Sequence, residues 1–252
     1  MSKIVVIAGK SASGKSTAYC KLDYPDDNIK IEGLKPEETF LINTVNKELP
    51  VPPGTFTEFR MIEKDGKKGV VGNKITGWNY NKISSSLQLI NKNPKIKNII
   101  VEDAQYLLSM DFFDRRVQTG FEKYAQMGFS FVNLIMHDLR ELREDIIVFI
   151  IMHTDEYKED KEIFIKLKTI GKMLDEKFTI EGLFSTVLVA QRRLKGRNMV
   201  YSFRTLPQHE NDIAKSVLGV FVNEQGRLVK EIPNDLGIVR NAFNLYYKFK
   251  IN

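Results

Sequence analysis

The sequence predicts an α/β fold: a mainly parallel sheet, flanked by helices and extended by an antiparallel C-terminal hairpin. Three observations lead to this class. Short apolar runs of strand length alternate with amphipathic stretches, and a turn rich in Gly and Ser follows the first run. In the last third, two β-rich runs are separated by only a short polar turn. The alternation is typical of parallel strands joined by helices, and the close pair of runs is typical of a hairpin.

The composition predicts one globular domain over residues 1–252. Hydrophobic residues make up 42% of the chain and charged residues 28%, which is ordinary for such a protein. The longest apolar run, 146–152, is far shorter than the ~20 residues of a membrane span. A strand directly at the N-terminus predicts no secretory leader, and the single cysteine, Cys20, fits a reducing compartment. We therefore expect a cytoplasmic protein without membrane contact.

The first element is the apolar run Ile4 to Ala8, which leads into a phosphate-binding motif. The motif and the residue after it are Gly9, Lys10, Ser11, Ala12, Ser13, Gly14, Lys15, Ser16 and Thr17, matching G-x-x-x-x-G-K-[ST]. The two glycines allow the backbone to wrap around phosphates. Lys15 is expected to reach the β- and γ-phosphates, and Ser16 to help hold Mg²⁺. A helix is predicted from near Ser13, so the pattern favours binding of a nucleoside triphosphate, ATP.

The segment between this motif and residue 98 predicts a mixture of short elements. They are strands at 29–31 and 39–43, an irregular segment at 45–80 with a hairpin around Asp65-Gly66, and a helix at 83–91. The helix carries Ile83, Leu87 and Ile90 on one face. The pattern leaves open whether the irregular segment is an arm for a partner or part of the core.

A buried strand at 98–101 ends in two acids, Glu102 and Asp103. This is the Walker B arrangement, which places carboxylates at the strand end where ligands bind in open α/β sheets. One carboxylate is expected to hold Mg²⁺ and the other to polarise water. The order Glu-then-Asp reverses the usual one and leaves the division of roles open.

Residues 111–144 predict helical structure with a break at Gly128. Apolar residues recur at spacings of three to four, which indicates a face packed in the core rather than a surface for stacking bases. The predicted core residues are Phe112, Phe113, Val117, Phe121, Tyr124, Phe131, Leu134, Ile135, Leu139 and Leu142.

The run 146–152 predicts a central buried strand that ends at His153. A polar residue at this place is a candidate hydrogen-bond donor that senses the γ-phosphate. The alternative is that His153 only caps the segment that follows.

Two basic groups remain after this strand. Lys168 and Lys172 lie on either side of Gly171, and Arg192 and Arg193 lie near the turn of a hairpin predicted from the runs 184–192 and 199–204. Either group could contact nucleic-acid phosphates or the γ-phosphate bound by a neighbouring subunit. The alternative is a solvated loop and turn.

Four segments resemble a family of bacteriophage-encoded P-loop ATPases with a RecA-like core, often described as AAA-type ATP-binding proteins. The segments are LKPEETFLINTVNKELP, NIIVEDAQYLL, KTIGKMLDEKFTIEGLFSTVLV and IPNDL. The resemblance extends from Ile4 to about Leu236. This chain departs from the family at Glu102, where an aspartate is usual, and that departure is compatible with slow hydrolysis.

The resemblance implies that residues 9–17 bind ATP phosphates, that Glu102 and Asp103 serve Mg²⁺ and water, and that His153 is the sensor. It further implies that Lys168 or Lys172 acts across a subunit interface. The implied partners are DNA, in single-stranded form, further copies of the chain in a ring or filament, and a single-strand binding protein. The implied setting is recombination or replication in the cytoplasm of the host.

Two other functions stay open at this point. A nucleotide-dependent scaffold or loader would bind ATP and hydrolyse little of it, which the Glu-first acid pair allows. A small-molecule kinase would transfer the phosphate to an acceptor, but no Arg-rich lid segment follows the core.

Overall fold

The structure is a computed structural model, and it describes residues 1–27, 29–64, 67–159, 162–170 and 179–249. The chain forms two compact units. The first comprises Met1–Lys3 and Lys35–Val148, and the second comprises Ile4–Leu34 and Phe149–Asn252. The prediction of one domain over 1–252 is not tested by this division and stays a prediction.

Thirteen strands are found within the described residues. In chain order they are β1 (Lys3–Gly9), β2 (Leu22–Tyr24), β3 (Ile29–Ile31), β4 (Thr39–Asn43), β5 (Arg60–Lys64), β6 (Lys67–Val71), β7 (Lys74–Thr76), β8 (Asn98–Glu102), β9 (Ile147–Glu159), β10 (Glu162–Leu167), β11 (Val187–Lys195), β12 (Asn198–Arg204) and β13 (Glu231–Pro233).

The helices lie between these strands and after them. The α-helices of the described residues are α1 (Tyr80–Ile90), α2 (Gln105–Asp114), α3 (Glu122–Asn133) and α4 (Leu236–Tyr247). A π-helical turn, Leu134–Leu139, continues α3, and short 3₁₀ turns lie at Thr17–Tyr19, Pro25–Asp27, Pro36–Glu38 and Ile180–Leu183. In these described ranges, no helix combines the length and apolarity needed to cross a membrane.

In the first unit, β4 lies between β7 and β8 and pairs with both in parallel. All five residues of β4 and of β8 are buried, as expected for strands covered on both faces. Helix α1 begins at the cap residue Asn79, whose side chain accepts a hydrogen bond from the Lys82 N–H. Its residues Ile83, Leu87 and Ile90 are buried, which confirms the predicted face.

The second unit contains the strand order β13-β12-β11-β1-β9, with β10 paired to β9. Strands β1 and β11 are parallel, whereas β11, β12 and β13 form antiparallel pairs. The parallel pairs of both units and these C-terminal pairs confirm the predicted fold class. Strand β9 continues to Glu159 and pairs antiparallel with β10, which the sequence did not predict.

The helix predicted from Ser13 is wrong. A single 3₁₀ turn, Thr17–Tyr19, follows the motif, and Cys20 is already extended, at φ −85° and ψ 150°. Thr, Tyr, Cys and Asp are weak helix formers, and Pro25 blocks continuation soon afterwards. Cys20 itself is buried, at 3% exposed.

The predicted break at Gly128 is also wrong. Gly128 is buried inside α3, and the helices separate at 115–121, where Gly120 has a φ of +86°. Only some of the core residues predicted within 111–144 are buried. Phe131 is fully buried, but Phe113, Val117 and Phe121 are exposed: Phe113 is not among the residues that α2 buries, and Val117 and Phe121 lie in the break between the helices.

Of the hairpin predicted around Asp65-Gly66, the flanking strands β5 and β6 pair antiparallel. Asp65 and Gly66 themselves lie outside the described residues. The hairpin predicted near the C-terminus is confirmed: β11 and β12 pair from Val189 with Arg204 to Lys195 with Asn198, and Gly196 in the turn has a φ of +64°.

Candidate functional site

The phosphate-binding motif begins where β1 ends, at Gly9. Residues Val5 to Ala8 are fully buried, so the loop starts from a rigid strand. A Cβ placed on Gly9 would lie 2.7 Å from Ser13 Oγ and 2.8 Å from the Ala190 carbonyl oxygen of neighbouring β11. Only glycine therefore fits at this close approach of two strands.

The loop turns through a left-handed backbone at Ala12, whose φ is +60°. This conformation costs a non-glycine residue about 1–2 kcal/mol, and such strain clusters at ligand-binding sites. Successive N–H groups in a turn of this kind form a concave site for anions. The backbone therefore favours binding of an anion at the loop.

Gly14 closes the loop, with a φ of +89°. A Cβ there would lie 2.6 Å from Asn234 Nδ2 and 2.8 Å from Tyr201 Cδ1. The Gly14 carbonyl accepts hydrogen bonds from Asn234 Nδ2 at 2.9 Å and from Thr17 Oγ1 at 2.8 Å. The end of the loop is thus held by a residue 220 positions away in the sequence.

Lys15 lies inside the loop and is only 5% exposed. Its Nζ donates to the carbonyl oxygens of Gly9 at 2.9 Å and Lys10 at 2.7 Å. The Ser13 hydroxyl is buried and has no hydrogen-bond partner in the part of the chain that the structure describes. Two glycines at positions where a Cβ would be crowded, a held ammonium and a spare hydroxyl fit a phosphate group.

A cavity of about 450 Å³ borders the loop within the second unit. Its lining includes residues 9–11 and Ser13, together with Arg192, Arg204 and His209. Lys10 forms an ion pair with Glu156 at 2.7 Å on the same rim. Arg192, predicted to act on DNA or on another subunit, thus borders the loop of its own chain.

The two acids of the Walker B arrangement lie in the first unit. Glu102 is the last residue of β8 and is 0% exposed, and Asp103 follows it in the left-handed region, at φ +54°. Thr44 donates its hydroxyl hydrogen toward the carbonyl oxygens of both residues, at 2.8 and 3.1 Å. Because Asn43 pairs with Glu102 in the parallel register, the ends of β4 and β8 build this site together.

Lys47 is the residue of this site that the sequence analysis missed. Its Nζ lies 2.7 Å from Glu102 Oε1 and 2.5 Å from Asp103 Oδ2. Burial by itself lowers the pKa of Lys47, but the negative charge of Glu102 and the hydrogen bonds to both acids outweigh it, so the pKa lies above the ordinary value of 10.5. The cluster therefore carries two buried carboxylates and one ammonium.

The signal that could have found Lys47 is the polar run Asn43, Thr44, Asn46 and Lys47 directly after the apolar strand β4. Asn43 Nδ2 donates to the Lys47 carbonyl oxygen at 2.9 Å and shapes the turn. The sequence does not tell that β4 neighbours β8, and this neighbour relation brings the lysine to the acids.

The remaining predicted residues belong to the second unit, except that Lys172 lies outside the described residues. His153 is half-buried on β9, and its carbonyl accepts from the Lys168 N–H at 2.8 Å. Lys168 Nζ lies 3.7 Å from Asp155 Oδ1. Arg193 is exposed and pairs with Glu231 at 3.2 Å. Ser16 is half-buried at the end of the loop.

In the described ranges, no group of three or more His, Cys, Asp or Glu side chains could hold a metal ion by itself. This does not argue against the predicted Mg²⁺, because Mg²⁺ at phosphate sites is held by one or two carboxylates together with phosphates and water. The oxygens of Ser16, Glu102 and Asp103 are of the type that Mg²⁺ prefers.

Comparison with known proteins gives little further information. No protein-family model matches the chain, and no curated protein does. Among solved structures, the chain is similar to a KaiC-like protein of the hyperthermophilic archaeon Pyrococcus horikoshii, at 9% identity and a TM-score of 0.40, over 83% of this chain and 82% of that one. At this level the likeness identifies neither an activity nor a ligand, and the fold class rests on the strand pairing described above.

Proposed function

We propose that the protein binds and hydrolyses ATP with Mg²⁺. The observation that carries the proposal is the loop 9–17, in which Gly9 and Gly14 fit where a Cβ would not, and Lys15 is held among loop carbonyls. These features match what phosphate binding requires of a loop between a buried strand and a turn. The sequence motif and the local geometry support it independently.

In this proposal, each predicted residue has a role. Backbone N–H groups of residues 9–17 and the Lys15 ammonium bind the phosphates, and Ser16 is a ligand of Mg²⁺. Glu102 and Asp103 supply the carboxylates that hold Mg²⁺ and orient the attacking water. His153 donates a hydrogen bond to the γ-phosphate. Mg²⁺ supplies neutralisation of the charge that develops on the phosphate oxygens.

Lys47 adds a constraint to this scheme. Its ammonium already neutralises part of the charge of the two acids, so a cation that approaches them competes with Lys47. The competition favours slow rather than fast hydrolysis, in line with the Glu-first acid pair.

We further propose that the ATPase acts on DNA, in single-stranded form, during phage recombination or replication, as a ring or filament beside a single-strand binding protein. The resemblance of four segments and the net charge of +6 support this. Lys168, Lys172, Arg192 and Arg193 are the proposed contacts to DNA or to a neighbouring subunit. The alternatives are a scaffold or loader with little hydrolysis and a small-molecule kinase.

ATP turnover measured with and without single-stranded DNA tests the proposal. We expect hydrolysis that DNA stimulates and that Lys15→Ala abolishes, because the buried ammonium is lost. Lys95→Ala serves as the matched control, since Lys95 is an exposed lysine to which the proposal gives no role.

Three other results each contradict part of the proposal. Tight ATP binding without turnover would support the scaffold. Hydrolysis that ignores DNA, with phosphate appearing on a small acceptor, would support the kinase. Binding and turnover that survive Lys15→Ala would reject the loop as the site.

A further inference from the structure

The second unit contains a second cavity, a cleft of about 870 Å³ that we call the Tyr201 cleft. It is lined by residues 29–31 of β3, by parts of the β11–β12 hairpin and by residues 231–234. Ile31, Met199 and Ile232 give it apolar walls, and Tyr201 contributes an aromatic ring. The rest of the lining includes the polar or charged residues Lys30, Lys195, Asn198, Ser202, Glu231 and Asn234. Apolar walls combined with polar groups are typical of a site for an organic ligand.

The Tyr201 cleft adjoins the phosphate loop through two of its own residues. The space beside Gly14, where a Cβ would stand, is bounded by the Tyr201 ring and the Asn234 amide. Both residues also line the cleft. A ligand whose phosphates occupy the loop therefore has the cleft within reach of the rest of the molecule.

Of the two polar atoms in the Asn234 side chain, only Nδ2 has a hydrogen-bond partner within the described residues. The Gly14 carbonyl can only accept, so the Asn234 amide must turn its Nδ2 toward it, and the bond measures 2.9 Å. The Asn234 Oδ1 atom is then left as an acceptor, and it has no hydrogen-bond partner within the described residues. The residue is 3% exposed, and a buried acceptor without a partner is unfavourable.

We propose that the Tyr201 cleft holds the adenine ring of the nucleotide, stacked on Tyr201, with the exocyclic amino group donating to Asn234 Oδ1. This inference rests on the proposed function, because only a nucleotide bound in the loop brings a base to the cleft. The hydrogen bond from the adenine amino group gives the buried Asn234 Oδ1 atom a partner, and the adenine ring covers the apolar walls of the Tyr201 cleft. Asn234 thereby links the base to the phosphate loop, since its other amide atom holds Gly14.

Adenine fits this lining better than guanine. Two further polar residues of the cleft are already engaged: Ser202 Oγ accepts from Gln191 at 3.1 Å, and Glu231 pairs with Arg193. The buried Asn234 Oδ1 atom can only accept, which matches the amino group of adenine. Guanine carries a carbonyl oxygen in place of that amino group, so two acceptors would face each other there and binding would be weaker.

Ligand binding to the full chain with Mg²⁺ tests the inference without any mutation. The ligands are ATP, purine riboside triphosphate (which lacks the amino group), GTP and inorganic tripolyphosphate. We expect ATP to bind roughly tenfold more tightly than purine riboside triphosphate, because one buried hydrogen bond is lost, and GTP to bind more weakly than ATP. Calorimetry or equilibrium dialysis measures each affinity.

Variants of Tyr201 then test whether the adenine ring stacks on the Tyr201 ring. Tyr201→Ser should weaken ATP binding by roughly tenfold, the range expected for one aromatic–base stack, and leave tripolyphosphate binding unchanged. Tyr201→Phe should keep the wild-type affinities. Tyr246→Ser is the matched control, since Tyr246 is an exposed tyrosine on α4 outside the cleft.

Equal affinity for ATP and purine riboside triphosphate, tighter binding of GTP, or unchanged ATP affinity in Tyr201→Ser would each overturn the inference. If wild-type protein binds ATP and tripolyphosphate alike, and Lys15→Ala loses both, the base site fails and the proposed function stands. If wild-type protein binds none of the four ligands, the proposed function fails with it.

Discussion

At the scale of single residues, the acid pair of the first unit depends on one lysine. Glu102 is fully buried, and burial of a carboxylate without a partner is strongly unfavourable. Lys47 contacts both acids and is itself about one-third exposed, so it stabilises them without being fully desolvated.

We therefore expect Lys47→Met to lower the free energy of unfolding by about 2 kcal/mol, below the 3–5 kcal/mol of a fully buried pair. Lys35→Met is the control, because Lys35 pairs with Glu38 at the surface, where such pairs contribute about 0–1 kcal/mol. Urea titration of both variants measures the difference. Equal losses would show that the acids do not depend on Lys47.

The surroundings of Asp145 shift its pKa, and this shift predicts how the stability of the fold depends on pH. Burial alone raises its pKa, but Lys97 Nζ at 2.6 Å and Arg143 Nε at 3.0 Å outweigh burial, so the folded pKa lies below the ordinary value of 3.8. A carboxyl group with a depressed folded pKa stabilises the fold above its unfolded pKa. This contribution is lost as the pH falls from about 4 through the folded pKa.

The variant Asp145→Asn should therefore lose about 1–2 kcal/mol at pH 7 and progressively less as the pH falls below 4. Urea unfolding at several values between pH 3 and pH 7 measures this convergence with wild type. The exposed Asp26→Asn provides a control that should follow the wild-type curve. A difference that stays constant down to pH 3 would contradict the assignment.

The residue scale also shows what the sequence could and could not predict. The roles of Gly9, Gly14 and Lys15 follow from local spacing, and the structure places them in one compact loop. Lys47 and Asn234 act on residues far away in the chain, and no local pattern encodes those contacts. Long-range pairs of this kind are visible only once the strand order is known.

At the scale of elements, the phosphate loop is held without a following α-helix. One 3₁₀ turn takes its place, and the Gly14 carbonyl is fixed by Thr17 and Asn234. The helix prediction failed because a motif typical of helix starts was followed by residues that favour a turn and a strand. The prediction of one continuous core face over 111–144 failed for a related reason: the spacing of apolar residues alone does not show that the helical pattern is interrupted at Gly120.

Gly14→Ala tests how tightly the loop end is packed. The new Cβ would stand 2.6 Å from Asn234 Nδ2 in a left-handed backbone, so we expect a loss of at least roughly 2 kcal/mol and weaker ATP binding. Gly182→Ala is the matched control, with no atom within 4 Å of its Cβ, and should change stability by less than about 0.5 kcal/mol. Urea unfolding and calorimetry measure the two effects, and similar behaviour of both variants would contradict the packing described.

At the scale of the whole molecule, the fold class followed from the order of strand-like and helix-like segments. Its division into two units did not, because the second unit combines an early segment, Ile4–Leu34, with the segment that begins at Phe149. The net charge of +6 is also a property of the whole molecule, and it favours the proposed binding of DNA, which is an anion.

The salt dependence of the affinity for single-stranded DNA tests the proposed binding of DNA. Each lysine or arginine that contacts a single-strand phosphate contributes about 0.7 to the slope of log affinity against log salt concentration. We expect Arg192→Ala to flatten the slope by about this amount, and Arg193→Ala to change it less, because Arg193 already pairs with Glu231. Arg227→Ala, an exposed arginine elsewhere in the unit, is the control. A slope unchanged by Arg192→Ala would reject that contact.

Asn234 donates a hydrogen bond to Gly14, and Asp235 accepts hydrogen bonds from the backbone N–H groups of Glu32 and Gly33. These bonds bear on the order in which the chain can fold during synthesis. A ribosome adds about 5–20 residues per second, so the loop waits roughly 10–40 seconds for partners that are made about 220 residues later. The first unit is nearly continuous in sequence, over 35–148, and is complete well before that. The segment with the clearest motif is therefore among the last to reach its final form.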